Sequence, residues 1–155
     1  MPNLHEIERR FLVRGLREDT LAAFPGMELE QHYLSGCQGV RVRKAGARFI
    51  LTVKGRGSLD RVEVEKDLTE EEYSVLFTLC DRGLAKRRYR VGRWEVDIFK
   101  GSLAGLVLAE VELSEVRETL PPFPFSDVEF IEVTQDPRFT NSNLAWGTIP
   151  SLEQA

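Results

Sequence analysis

The chain has 155 residues, 42% apolar and 30% charged, with 12 Gly and 7 Pro, which excludes a collagen-like chain and a disordered acidic or proline-rich tail. A chain of this size hides roughly 70% of its unfolded surface on folding, so one core and one domain over residues 1–155 are expected. Lys and Arg number 21 against 25 Asp and Glu, a net charge of −4, which argues against sequence-independent nucleic-acid binding, where phosphate contacts dominate affinity.

Period-two alternation, the signature of strands, dominates the chain. Glu6 to Val13 reads as a strand with Glu6, Glu8 and Arg10 on one face. A short helical patch over Leu21 to Phe24 has Asp19 or Thr20 as its cap and Pro25-Gly26 as its stop. Strands follow at Glu30 to Leu34, at Gly39 to Lys44 with Arg41 and Arg43 on one face, and at Arg48 to Lys54. Beyond the turn Gly55-Arg56-Gly57-Ser58, the acids Glu63, Glu65 and Asp67 share a face with Arg61. Thr69 and three glutamates open a helix that Tyr73, Leu76, Phe77 and Cys80 continue and Gly83 closes. Ala85 to Val91 and Arg93 to Phe99 form a hairpin, and Val107 to Leu113 a strand with Glu110 and Glu112 together. Ser114 to Leu120 reads as a short helix, Val128 to Val133 as a last strand, and Asn141 to Trp146 as a helical tail. Antiparallel strands at this spacing imply a mainly β fold, a barrel or sandwich, with a few helices packed outside.

No apolar run approaches the ~20 residues of a membrane helix. The opening residues Met1 to Glu6 lack a basic segment followed by an apolar one, so a cytoplasmic protein is expected. Cys37 and Cys80 stand apart from each other and from His5 and His32, which suits reduced thiols rather than a disulfide scaffold or a soft-metal site. Gly55-x-Gly57 reads as a hairpin turn rather than a phosphate loop, since no helix starts after it. His5 and His32 read as solvated or structural, and Trp94 and Trp146 as exterior packing.

The charges need an explanation. Like signs recur two residues apart at Glu6/Glu8, Glu63/Glu65, Glu110/Glu112, Arg41/Arg43 and Lys86/Arg88, and on a strand such neighbours repel. A solvated sheet face would tolerate them. A closed barrel of about eight strands could instead carry them inside, with the aliphatic face outward for the helices. Such an interior is costly unless a charged ligand completes it. Clustered acids without His or Cys suit Mg²⁺ or Mn²⁺, and clustered Arg and Lys suit phosphate oxygens. Together they describe a metal–polyphosphate complex.

These residues carry a resemblance. Glu6-x-Glu8-x-Arg10 is similar to the Glu-x-Glu-x-Lys signature of the CYTH family, the triphosphate tunnel metalloenzymes. Tyr33-Leu34, Arg41-x-Arg43, Thr52-x-Lys54, Glu63-x-Glu65, Lys86-x-Arg88-Tyr89, Glu95-x-Asp97 and Glu110-x-Glu112 follow in the family's order. The resemblance implies a closed eight-stranded antiparallel barrel forming a tunnel for a small linear triphosphate and a divalent metal. It implies that Glu6, Glu8, Asp97, Glu110 and Glu112 sit at the metal. Arg41, Arg43, Lys54, Lys86 and Arg88 would hold phosphate oxygens, with Glu63 and Glu65 completing the lining. Roles for Glu95, Arg61 and Arg138 are left open against surface salt bridging. Arg10 replaces the family lysine, and arginine practically cannot give up its proton, so binding is expected to survive while rate or product changes, with Tyr33 as an orienting partner. The implied activity is hydrolysis of inorganic triphosphate. Thiamine triphosphatase, class IV-type adenylate cyclase, a non-catalytic polyphosphate-binding module and a purely structural barrel are the alternatives, and a homodimer is the assembly to test.

Overall fold

The computed structural model describes residues 4–57 and 59–152, so the expectations at Met1, Pro2, Asn3 and Ser58 lie outside the described residues. Its strands are β1 (His5–Arg14), β2 (Gly26–Leu34), β3 (Val40–Ala45), β4 (Arg48–Lys54), β5 (Asp60–Leu68), β6 (Cys80–Val91), β7 (Trp94–Phe99), β8 (Val107–Glu112) and β9 (Glu129–Glu132). The α-helices are α1 (Glu70–Phe77) and α2 (Asn141–Leu144). All pairings are antiparallel, in the order β5-β4-β3-β2-β6-β7-β8-β1, and β1 returns to β5 through His5↔Val62, Glu6↔Arg61 and Ile7↔Asp60. That contact closes an eight-stranded barrel. β9 lies outside the ring, on β1 from Phe11 to Arg14. Among the described residues no helix is long and apolar enough to cross a membrane.

Alternation fixes what each face meets. The outward residues Phe11, Val13, Val91, Trp94, Val96, Ile98, Val107, Ala109 and Val111 are buried, and Phe24, Leu120, Phe123, Phe125, Val128 and Phe130 pack over them. The largest apolar cluster therefore lies outside the barrel wall, under the segment joining β8 to β9. Phe130 stacks on Phe11 at 4.3 Å and on Phe123 at 4.6 Å, and Trp94 Nε1 donates to Pro122 O at 3.1 Å. A second cluster seals one end of the interior: Leu12, Leu84, Phe99 and Leu108 from the strands meet Phe139 and Leu144 from the C-terminal segment.

Several local expectations need correction. The helix after Thr69 is capped as expected, with Thr69 Oγ1 accepting from Glu72 N and Glu72 Oε1 from Thr69 N. It ends at Phe77, however, and Cys80 and Gly83 belong to β6. Pairing wins over helical periodicity here, since Ser35 N bonds Leu79 O and Cys80 pairs with Leu34. A Cβ at Gly83 would collide with His32 Nδ1, so this glycine serves the close approach of β2 rather than a helix stop. β2 starts at Gly26 rather than Glu30, because Gly26 to Glu30 pair with Tyr89 to Ala85 on the long β6. The patch before it is a 3-10 turn over Glu18–Leu21, preceded by Arg17 rather than capped by Asp19 or Thr20. The helical tail stops at Leu144, and α2 closes the barrel's end rather than packing on its outside. Trp146 stays 62% exposed, with Arg82 over its ring at 4.9 Å.

Ser114 to Leu120 forms no helix. Glu118 turns back instead: its Oε1 accepts from Ser114 N at 2.6 Å and Ser114 Oγ at 2.8 Å, and its Oε2 accepts from Arg93 Nη1 at 2.7 Å. The Arg93 bond, followed by the Ser114 bonds, holds its carboxyl at about 2. A folded-state value below the ordinary one means stability present above pH ~4.5 and lost as the pH falls toward 2. Glu118→Gln should therefore melt below wild type at pH 7, with the gap closing by pH 2. A constant gap in melting temperature across that window would refute the assignment.

Candidate active site

The inward residues of the barrel form two walls of opposite charge. β1, β8 and β5 carry Glu6, Glu8, Glu110, Glu112, Glu63 and Glu65, whereas β3, β4 and β6 carry Arg41, Arg43, Lys54, Lys86 and Arg88. The walls meet through ion pairs. Lys54 Nζ reaches Glu6 Oε1 at 3.0 Å and Glu63 Oε2 at 3.3 Å, and Arg61 Nε reaches Glu6 Oε1 at 3.3 Å. Arg88 grips Asp97 with two bonds of 2.8 Å, and Glu95 at 2.9 Å. Lys86 donates to Asp97 Oδ2 at 2.6 Å and to Asn141 Oδ1 at 3.2 Å, and both Lys86 and Asp97 are fully buried.

Arg10 ties the acid wall to the C-terminal segment. Its Nε donates to Glu110 Oε1 at 3.1 Å, Nη2 to Glu8 Oε1 at 3.3 Å and Nη1 to Phe139 O at 3.0 Å. Burial opposes its charge, but Glu110 and Glu8 outweigh that and push it above its ordinary range. Burial also works against charge on Asp97 and Glu110, yet the cations win: Arg88 and Lys86 hold Asp97 low, and Arg10 and Arg88 hold Glu110 well below the carboxylate range.

Glu8 goes the other way. Burial and the neighbouring Glu110 raise it to about 8, and across the β1–β8 ladder it faces another acid, Glu112. Glu63 is raised to about 7 by burial and by its hydrogen bond to Glu6. Burial pushes Glu6 up as well, but its bond with Glu63 and the charge of Lys54 bring it to about 2. The acid wall thus crowds more carboxyls together than burial and the local cations allow to ionise. Glu65 and Glu112 are exposed. Among the described residues no three His, Cys, Asp or Glu side chains converge on one point at ligating geometry.

The opposite imbalance marks the other wall. A cavity of about 770 Å³ is lined by Arg10, Arg41, Lys54, Arg56 and Arg61, with Tyr33, Asn141 and the turn Gly55-Arg56-Gly57, and by no carboxylate. That turn joins β4 to β5, the hairpin expected, yet it also forms the cavity's rim. Arg41 is buried against the cavity with its Nε unpartnered, an unused donor facing a space suited to an anion. Tyr33 is the one aromatic among the lining residues.

A scan against family models finds no match. Two curated relatives do match: an inorganic triphosphatase of Nitrosomonas europaea, 35% identical over 90% of this chain and 96% of that protein, and an inorganic triphosphatase of Acetivibrio thermocellus, 37% identical over 90% of this chain and 92% of that protein. The chain belongs to the inorganic triphosphatase family. The solved structure of the inorganic triphosphatase NE1496 superposes with a TM-score of 0.61 at 29% identity, over 97% of this chain and 99% of that one.

The charged residues assigned in the sequence to metal or phosphate share one strand phase, the barrel's inward face. Three contributors were missed there. Gln31 is fully buried between Arg43 and Tyr33, and its signal was a polar residue in phase with the buried Leu29 and Tyr33. Asn141 and the carbonyl of Phe139 come from the C-terminal segment, and nothing in their local pattern points inward. Arg61 lines the cavity, Glu95 pairs with Arg88, and Arg138 pairs with Asp136 away from it.

Removing one partner of a buried ion pair strands the other charge, at about 3–5 kcal/mol. Asp97→Asn should lose that much in denaturant unfolding because it strands Lys86 and Arg88, whereas the exposed Glu65→Gln should stay within about 0.5 kcal/mol. A loss below ~1 kcal/mol for Asp97→Asn would contradict the pairing.

Proposed function

We propose that this protein is a metal-dependent inorganic triphosphatase of the triphosphate tunnel type, hydrolysing tripolyphosphate in its barrel. The observation that carries the reading is the cavity walled by Arg10, Arg41, Lys54, Arg56 and Arg61 without a carboxylate, in a chain whose relatives are named inorganic triphosphatase. Tyr33, the single aromatic lining residue, is buried with Arg82 over its ring at 5.1 Å, so it offers little face to a nucleobase or thiamine ring, which favours the inorganic substrate.

Phosphoryl transfer asks mainly for positioning and charge stabilisation. Arg41, Arg43, Lys54 and Arg88 bind and orient the phosphate oxygens, and Asp97 holds Lys86 and Arg88 in place for them. Arg10 and the plug of Leu12, Leu108, Phe139 and Leu144 close the inner end against bulk water. Water adds to a terminal phosphorus, the bridging P–O bond breaks, and orthophosphate and pyrophosphate leave.

The acid wall fits a hard divalent cation. Glu8 is driven to about 8 by burial and Glu110, the mark of crowded carboxylates short of positive charge, and the donors are oxygens, as Mg²⁺ or Mn²⁺ prefers. Glu6, Glu8, Glu110 and Glu112 would hold it. Asp97 fits less directly, since both its oxygens already accept from Lys86 and Arg88. Such a cation supplies neutralisation of the charge that develops on the phosphoryl oxygens.

The test is phosphate release from tripolyphosphate, thiamine triphosphate and ATP, each with Mg²⁺, Mn²⁺ or EDTA. Tripolyphosphate should be cleaved preferentially and EDTA should abolish release. Absence of release from tripolyphosphate with either metal would sink the reading. Arg10→Lys should keep tripolyphosphate binding while changing kcat or product pattern, because a lysine's compact ammonium does not reproduce a planar fork reaching Glu8, Glu110 and Phe139 O. Kinetics, metal use and products all equal to wild type would show that Arg10 has no special role.

A further inference from the structure

The interior cations are not all treated alike. In the strand ladders Arg10 lies opposite Glu110, Lys54 opposite Glu63, and Arg88 opposite Asp97. Arg43 has Gln31 on one side and Ile50 on the other, and Arg41 has Tyr33 and Thr52. Among the described residues neither Arg41 nor Arg43 has a carboxylate within ion-pair distance. Both sit in a low-dielectric wall beside a third cation, Arg88, and burial with these like charges lowers Arg43 to about 9. A fold selected for stability alone would place an acid here.

It places an amide instead. Gln31, fully buried, accepts from Arg43 Nε at 3.0 Å and from Arg43 Nη2 at 2.8 Å through the same oxygen. A guanidinium can only donate, so this contact fixes the amide's orientation and turns its NH₂ toward Tyr33. Gln31 Nε2 donates to Tyr33 OH at 2.9 Å, and Tyr33 lies opposite Arg41 in the β2–β3 ladder. A phenolic oxygen has two acceptor sites and one proton. With Gln31 donating to it, Tyr33 keeps its own proton for a further acceptor, and Tyr33 lines the cavity.

We propose that Gln31 is a positioning residue that aims Arg43 and Tyr33 at the phosphate chain without neutralising the one or capturing the proton of the other. A glutamate in the same place would make the same two bonds to Arg43, cancel its charge and accept the tyrosine's proton. The protein therefore retains full positive charge at Arg41 and Arg43 for an anion that arrives later, and this rests on the triphosphatase reading of the cavity.

The experiment compares wild type, Gln31→Glu and Gln31→Met in the full-length chain, by ligand-free melting temperature, by tripolyphosphate affinity from calorimetry with Mg²⁺, and by KM and kcat. Gln31→Glu should melt at or above wild type yet bind tripolyphosphate about tenfold or more weaker, with KM rising more than kcat falls. Gln31→Met, which leaves the Arg43 donors unsatisfied, should melt below wild type and lose affinity as well. A purely structural glutamine predicts the reverse link, with affinity following stability. Gln31→Glu with wild-type affinity and KM would overturn the proposal. If wild type itself neither binds nor cleaves tripolyphosphate, the triphosphatase reading fails on its own. The ligand-free melting temperatures then decide for Gln31: Gln31→Glu above wild type supports a cation deliberately left uncompensated, and below wild type overturns it.

Discussion

The structure depends on confining charge inside a closed wall. Each strand of the barrel presents one face inward, and on that face most strands bring Glu, Asp, Arg or Lys into a space where an unpaired charge costs several kcal/mol. Three solutions appear side by side. At the inner end, Lys86 and Arg88 converge on the carboxylate of Asp97 at 2.6–2.8 Å. On the β1–β8 side, buried carboxyls crowd one another and Glu8 is driven up to about 8. On the β2–β3 side, Arg41 and Arg43 keep their charge and face neutral residues. The two unbalanced patches are complementary to two kinds of ligand, a cation and an anion.

A charged interior cannot drive folding, so the apolar drive has moved elsewhere. The aliphatic outward faces of β1, β7 and β8 are covered by the segment after β8, through Phe123 and Phe125 and through Leu120 at the end of the stretch expected to be helical. Burial of that surface, at roughly 25 cal/mol per Å², offsets the desolvation inside. Phe139 and Leu144 do the same at the inner end, and in doing so they deliver Phe139 O to Arg10 and Asn141 to Lys86. Packing and site geometry are therefore coupled through the C-terminal segment. α1 contributes less to this core, since none of its residues is buried, and its rings meet the wall at Phe49–Tyr73 and His32–Phe77.

What could be read from the sequence was what alternation encodes. Period two places Glu6, Glu8 and Arg10, or Lys86 and Arg88, on one face, and the like-charge spacing suggested that this face needed a ligand. Alternation does not say which cation a given acid meets, because that depends on strand order: β6 pairs with β2 and β7, and Arg88 finds Asp97 only through that register. Helical periodicity misled at Cys80, where Tyr73, Leu76 and Phe77 continue in phase but the ladder to Leu34 is stronger. Ser114 to Leu120 misled differently, as Glu118 satisfies its backbone through Ser114 and Arg93 instead of a helical turn. Gln31 was overlooked because its importance lies in being uncharged among charged neighbours, and a composition-based search weights only charge.

Arg10 brings these strands of argument together. A lysine at this position would offer one compact ammonium group, able to satisfy partners crowded around a point. The guanidinium spreads its donors over a rigid plane, and here three of them reach partners from three directions: Glu110 on β8, Glu8 on its own strand, and a carbonyl of the C-terminal segment. It stays protonated under any condition in which the fold survives, so its chemistry is electrostatic and geometric rather than proton transfer. Substituting arginine for lysine therefore ties the acid wall to the plug at the inner end. Glu8, Glu110 and Phe139 are thereby held through one side chain, which links the acid wall of the barrel to its seal.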